Sequence, residues 1–322
     1  MIITKTPLRV SFVGGGTDLA SYYQNGHGGV VSTAINKYIY ITINKRFDDT
    51  LRLSYSKTEI VNEPEELKHD IARACLDMVG ITGGVEITSI ADIPSGTGLG
   101  SSSSFTVGLL NALYTYVGER VSAHELAAKA CEVEIDILHH PIGKQDQYAA
   151  AFGGLNYFMF NQDGTVIREK INLPESGWRD IDRKLMMFYT GIRRDANEIL
   201  QEQGERTKEK LDVLNYMRDQ AKDMHDLLVK DGFTESFAFM LDEAWQKKKS
   251  VTDSISNQDI DDYYEKALKA GAKGGKLLGA GGGGFILLYC DEAYQENVRQ
   301  ALGLRELDFR LSPHGSRVVY FA

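Results

Sequence analysis

The run Pro94-Ser95-Gly96-Thr97-Gly98-Leu99-Gly100-Ser101-Ser102-Ser103-Ser104 decides how the rest of the chain is read. It follows the alternating segment Gly84-Val85-Glu86-Ile87-Thr88-Ser89-Ile90, which reads as a strand. It leads into Phe105 to Tyr114, where apolar residues recur at helical spacing. Strand, glycine turn and helix therefore follow one another directly. Three glycines allow a tight turn and close approach to a ligand, while small hydroxyl side chains leave the first helical N–H groups unobstructed. An anion belongs at such a place, and a nucleotide phosphate is the commonest one. The same residues also suit a plain loop or an N-cap run. Neither familiar phosphate-loop template fits, because the glycines are spaced G-x-G-x-G rather than G-x-G-x-x-G and no Gly-Lys-Ser/Thr follows. A third kind of phosphate loop is implied.

The chain has 322 residues, 43% hydrophobic and 25% charged, with a net charge of −9. That composition describes an ordinary globular protein, long enough for two domains. The acidic balance, and the lack of any Lys/Arg run interleaved with aromatics, argue against a nucleic-acid surface and for a small-molecule ligand. No apolar run is long enough to cross a bilayer and the start lacks a secretory pattern, so the expectation is a cytoplasmic protein with no membrane partner, monomeric or homodimeric. Cys75, Cys131 and Cys290 lie far apart within patterned segments, as buried thiols do.

Upstream of the central run, Pro7 to Leu19 alternates and then ends in Gly14-Gly15-Gly16-Thr17-Asp18, placing Arg9 and Asp18 at the two ends of one short segment. Strands are expected at Val30-Val31, 39–43 and 51–53, and helical patterns over about 65–80 and 104–140. Within the second helical region Glu134 reads as a solvated face charge, and Asp146, after Pro141 and Gly143, as a cap. The polar, irregular stretch 170–184, with Pro174, Gly177 and Trp178, places a boundary between domains 1–178 and 179–322. Beyond it come a strand at 185–189, the tandem arginines Arg193 and Arg194, and long helices over 195–230, 234–250 and 258–271. Gly279-Ala280-Gly281-Gly282-Gly283-Gly284 then precedes the apolar run Phe285 to Cys290, and a strand is expected at 317–321. Four consecutive glycines carry an entropic cost, so this loop is expected to come close to another backbone or to a ligand.

Three glycine clusters in this order, with Gly-x-x-Asp-Gln at 143–147, resemble the superfamily of galactokinase, homoserine kinase, mevalonate kinase and phosphomevalonate kinase, the GHMP kinases. The likeness covers almost the whole chain. It implies an α+β protein with a ribosomal-protein-S5-like N-terminal domain, a ferredoxin-like C-terminal domain and a cleft between them. It implies ATP and Mg²⁺, the nucleotide lying on Pro94, Ser95, Gly96, Thr97, Gly98, Leu99, Gly100, Ser101, Ser102 and Ser103. By the same resemblance Asp146 accepts or polarises the proton of the attacking hydroxyl, and Arg9 stabilises that aspartate and the developing phosphoryl charge. Glu134 and Ser102 hold Mg²⁺, and Asp18 bonds sugar hydroxyls.

Galactokinases carry Gly-Glu-His-Thr-Asp where this chain has Gly14-Gly15-Gly16-Thr17-Asp18. The loss of both side chains is expected to leave room and free N–H groups for a bulkier or phosphorylated sugar. The phrase Pro7 to Leu19 is most similar to that of the D-glycero-D-manno-heptose 7-phosphate kinases, which act on the anomeric hydroxyl, and fucokinases come next. Gly15, Gly16, Thr17 and Asp18 are thus expected to bind the sugar phosphate, with Gly282 and Gly283 from the third cluster. Arg193 and Arg194 are either a solvated pair or the ligands of its distal phosphate.

Overall fold

The computed structural model describes residues 1–192 and 196–322. Its first half is built on β1 (Ile2–Val13), β2 (His27–Lys45), β3 (Leu51–Ser54), β4 (Thr58–Val61), β5 (Val85–Ala91), β6 (Leu155–Asn161) and β7 (Val166–Lys170). Between them lie α1 (Ala20–Tyr23), α2 (Asp70–Val79), α3 (Ser101–Tyr116), α4 (Ala123–Cys131) and α5 (Gln145–Phe152). The second half adds α6 (Glu175–Lys184), β8 (Leu185–Tyr189), α7 (Ala196–Glu205), α8 (Leu211–Lys230), α9 (Glu235–Lys249) and α10 (Gln258–Lys269). It closes with β9 (Ala272–Leu277), β10 (Phe285–Cys290), α11 (Glu292–Leu302), β11 (Arg305–Glu306) and β12 (Arg317–Phe321).

The two separate strands expected at 30–31 and 39–43 are one strand, β2, whose two halves serve different neighbours. Residues 39–45 pair with β5 and residues 27–33 with β6, while β1 runs antiparallel along its other side. The first sheet thus opens like a fork, ordered β12-β1-β2-β5-β3-β4 with β6 and β7 branching from β2. The second sheet, β11-β8-β10-β9, is wholly antiparallel. Sheets that are antiparallel apart from the parallel β3–β5 pair, with helices packed on them, make an α+β fold. The last strand crosses back, since β12 pairs with β1.

Helix α3 carries apolar or small residues on every side and is buried over most of its length between the first sheet and its neighbouring helices, as a helix of that composition must be. Its entry point is therefore fixed. Helix α4 begins with a capping box, Ser122 and Glu125 each bonding the other's backbone N–H, and then widens into a single π turn over Glu132–Ile137. Such turns recur at functional sites, and this one carries Glu134 inward, next to buried Val133. The expected continuous α-helix to 140 and the solvated Glu134 are both replaced by this arrangement. In the second half, Met186, Phe188, Trp245, Ile260, Tyr264, Val298 and Leu302 form a separate core beneath the four-stranded sheet.

Candidate active site

Gly96, Gly98 and Gly100 have φ of 75°, 81° and 72°, values that glycine adopts freely and L side chains rarely do. Gly100 stands at the N-cap of α3 and supplies no capping side chain, so the first N–H groups of the helix point into a cleft of about 510 Å³. The third glycine cluster packs on this loop. A Cβ at Gly98 would lie 2.4 Å from the carbonyl oxygen of Leu278, one at Gly279 2.5 Å from the Cα of Gly98, and one at Gly284 2.4 Å from the carbonyl oxygen of Thr97. Close backbone approach therefore accounts for these glycines, and only Gly279 and Ala280 of the cluster line the cleft.

Strand β1 brings Arg9 under the phosphate loop, where it is 4% exposed. Its Nε and Nη2 donate to Asp146 at 2.7 and 2.8 Å, a bidentate pair, and Nη1 donates to the Gly98 carbonyl at 2.7 Å. Asp146 sits in the first turn of α5 and lines the cleft. It faces the uncapped end of α3 across Gly100, where a Cβ would stand 3.2 Å from its Oδ2. A carboxylate so held has one fixed orientation, which is what a proton acceptor or a hydroxyl-orienting group requires.

Asp18 completes the opposite wall. Its Oδ1 accepts from Gly16 N at 2.9 Å and Gln145 Nε2 at 3.0 Å, and its Oδ2 from Gln145 N at 3.2 Å. Burial raises its pKa above the usual carboxylate value, and the charge of Asp146 adds to the rise. Gly143 is required by this packing, because a Cβ there would fall 2.0 Å from Asp18 Oδ2.

The family models for the GHMP kinases N-terminal domain and for the GHMP kinases C-terminal domain match residues 66–154 and 225–306. A D-glycero-alpha-D-manno-heptose 7-phosphate kinase of Campylobacter jejuni is 30% identical over 315 residues, 94% of this chain and 93% of its own. This chain belongs to the GHMP kinases. A galactokinase of Pyrococcus furiosus is 29% identical over 348 residues, covering 95% and 93%. The crystal structure of a D-glycero-D-manno-heptose 1-phosphate kinase from Bacteroides thetaiotaomicron shares the fold over the whole of both chains, with a TM-score of 0.83 at 24% identity. This GHMP kinase is an ATP-dependent sugar kinase, and the expected GHMP kinase fold is the one observed.

GHMP kinases use ATP, generally with Mg²⁺, and the residues here fit such a cation. Glu134 is wholly buried, and its two oxygens accept from Ser102 Oγ at 3.1 Å and Gln147 Nε2 at 2.8 Å. Burial pushes its carboxyl up to about 7, against hydrogen bonds from Ser103, Gln147 and Ser102, and Asp146 adds to the rise. A carboxylate with a hydroxyl beside it, both lining the cleft at the phosphate loop, is the hard-oxygen set that Mg²⁺ takes together with nucleotide phosphates. No group of three or more His, Cys, Asp or Glu able to hold a metal occurs among the described residues. A cation shared with phosphate oxygens needs none.

Of the other residues singled out in the sequence, Gly16 and Ser101 to Ser103 line the cleft. Thr17 is buried, its Oγ1 donating to the carbonyls of Gly14 and Gly29. Pro94 and Thr97 face a smaller cavity of about 230 Å³ with Tyr189, Phe285 and Arg305. Ser95 is exposed and Leu99 lies in the core. Gly282 and Gly283 turn away from the cleft against Ile255 and Ile192. Arg193 and Arg194 lie outside the described residues.

Lys248 and Gln203 are among the cleft residues that escaped the sequence reading. Lys248, in the last turn of α9, is 5% exposed and donates to the Gly279 carbonyl at 2.6 Å. Burial holds its amine down to about 8, with Asp18 and Asp146 pulling upward and Arg9 downward. Its neighbours Lys247 and Lys249 share its type, so the sequence offers no local sign of which lysine turns inward. Gln203, on α7, is 1% exposed and also lines the cleft. It corrects one expectation directly. The space left by glycine at position 16 is not open, because a Cβ there would meet Gln203 Nε2 at 1.9 Å, and the N–H of Gly16 is already given to Asp18.

Proposed function

We propose that this kinase transfers the γ-phosphoryl group of ATP to the anomeric (C1) hydroxyl of D-glycero-D-manno-heptose 7-phosphate. The observation that carries the chemistry is the Arg9–Asp146 pair, held bidentate between the phosphate loop and Asp18. In this reading the sugar hydroxyl lies against Asp146, which takes its proton as the new O–P bond forms. The bond from the γ-phosphorus to the bridging oxygen breaks, and its electron pair leaves with ADP. Arg9 holds the aspartate in one orientation, the N–H groups at the start of α3 cradle the phosphates, and Asp18 anchors sugar hydroxyls. Glu134 and Ser102 are the residues that would hold Mg²⁺, which when bound neutralises charge on the nucleotide phosphates.

The choice of acceptor is supported by the full-length likeness to a heptose 7-phosphate kinase and by the room that the glycine at position 15 leaves. Arg193 and Arg194, just before α7, are proposed to meet the distal phosphate. The test is a panel of sugars and sugar phosphates, reading ADP release, with the phosphorylated carbon of the product assigned by ³¹P and ¹³C NMR. Highest kcat/KM with the heptose 7-phosphate and a C1 phosphate product is expected. A preference for fucose, galactose or another unphosphorylated sugar overturns the acceptor assignment.

A further inference from the structure

The amide head of Gln203 has no hydrogen-bond partner among the described residues, at either Nε2 or Oε1. It is nevertheless 1% exposed and faces the cleft. Its backbone is engaged, since the carbonyl accepts from Thr207 Oγ1 at 3.2 Å. A buried amide with neither half paired is a standing cost to the folded protein, which a ligand at that point relieves. It stands beside other unsatisfied atoms. Around the vacant Cβ position of Gly15 lie Ser11 Oγ at 3.6 Å, Gln145 Nε2 at 3.7 Å and Lys248 Nζ at 3.8 Å, and both Ser11 Oγ and Gln145 Oε1 lack partners as well. The missing side chain of Gly15 thus leaves a polar hollow, and Gln203, from the second half of the chain, fills the neighbouring place at Gly16.

We propose that Gln203 is a specificity-determining residue that reads a hydroxyl group, or a vicinal pair of hydroxyls, on the acceptor sugar. The chemistry of the amide selects this class of ligand, because Nε2 only donates and Oε1 only accepts. A phosphate or carboxylate would pair Nε2 and leave Oε1 facing more lone pairs, and an ammonium group would do the reverse. A hydroxyl both donates and accepts, so a polyol satisfies both halves at once. Gln203 therefore reads the ring or side-chain hydroxyls and not the distal phosphate. The inference deepens the sugar-kinase reading and rests on it, but it does not depend on which sugar of the panel is preferred.

The test is a double-mutant cycle between Gln203→Met, apolar and of nearly equal length, and the monodeoxy analogues of whichever sugar the parent turns over best. A site built to bond a hydroxyl rejects the analogue lacking it, because its buried amide is left unpaired. The parent is expected to disfavour one analogue by about 10²-fold or more in kcat/KM, while Gln203→Met handles that analogue and the full sugar within about fivefold of each other. KM for ATP should change by no more than about twofold. If Gln203→Met does not fold, Gln203→Asn, which keeps the amide one methylene short, carries the same cycle. Equal ratios in parent and variant for every analogue would overturn the proposal. A parent that prefers an unphosphorylated sugar defeats the heptose-phosphate assignment instead, and the cycle run on that sugar still decides Gln203.

Discussion

Glu134→Gln isolates the electrostatics of the carboxylate assigned to the cation. Its carboxyl is raised from 4.5 to about 7 because it is wholly buried, so the native state holds this proton more tightly than the unfolded chain does. The contribution to stability is fully present below about pH 4.5 and is lost as pH rises through 7. At about 1.4 kcal/mol for each pH unit, the rise amounts to about 3 kcal/mol. Gln keeps the shape without the charge, and Gln147 can serve it by turning its amide, since Gln147 Oε1 has no partner while its Nε2 serves Glu134. Urea denaturation in EDTA between pH 4.5 and 8 is the assay. Parent and variant should agree within about 1 kcal/mol at the acid end, and at pH 8 the variant should be the more stable by about 3 kcal/mol. Adding Mg²⁺ with a non-hydrolysable ATP analogue should narrow the gap, because a cation stabilises only the ionised carboxylate. Parallel stability profiles from pH 4.5 to 8 would refute the reasoning, since they would mean that Glu134 does not titrate in that window.

Asp146→Asn should lower kcat by about 10²- to 10⁴-fold with ATP binding little changed, and turnover within a few-fold of the parent would reduce Asp146 to a structural partner of Arg9. Lys248 predicts a slope of opposite sign. Its folded amine gives up a proton near pH 8 and the unfolded one near 10.5, so the unfolded state binds more protons in between and stability should rise with pH over that range. Lys248→Met should make that rise shallower, with the buried Lys276 amine, also held down by burial, supplying what remains, as measured by denaturation at pH 8 and 10. Gly279→Ala places a Cβ 2.5 Å from the Gly98 Cα at a φ of +79°, forcing the two glycine loops apart. Initial-rate kinetics should show kcat/KM for ATP reduced by about 10²-fold, and an unchanged value would mean that the loops yield without displacing the phosphates.

What the sequence made legible is whatever depends on a local backbone requirement. Gly96, Gly98 and Gly100 all take positive φ, a demand that restricts the residue type and is therefore written in the chain. Strands β8 and β10 announce themselves as short apolar runs, and helices α9 and α10 by helical spacing. The fork in β2 and the return of β12 to β1 are pairings between distant segments, and no short-range pattern encodes them. The π turn that swings Glu134 inward is equally hidden. It changes the facing of a helix without changing its composition, so a buried carboxylate read as a solvated one.

The glycine at position 16 shows why acceptor choice is the hardest property to read. Alone, a glycine in place of a large side chain looks like added space, yet the space is taken by Gln203, 187 residues away in the chain. Gly16 and Gln203 are one structural decision split between two segments, since any side chain at 16 would compete with the amide for the same volume. The same division runs through the whole cleft. Arg9, Asp146, Glu134 and the phosphate loop come from the first half, whereas Gln203, Lys248 and Gly279 come from the second. Phosphoryl transfer makes the same demands on every member of a kinase family, so its residues sit in recognisable motifs. Recognition of one polyol among many is a matter of which hydroxyls find partners, and here the free partners lie where the second half of the chain meets the glycine loop of the first.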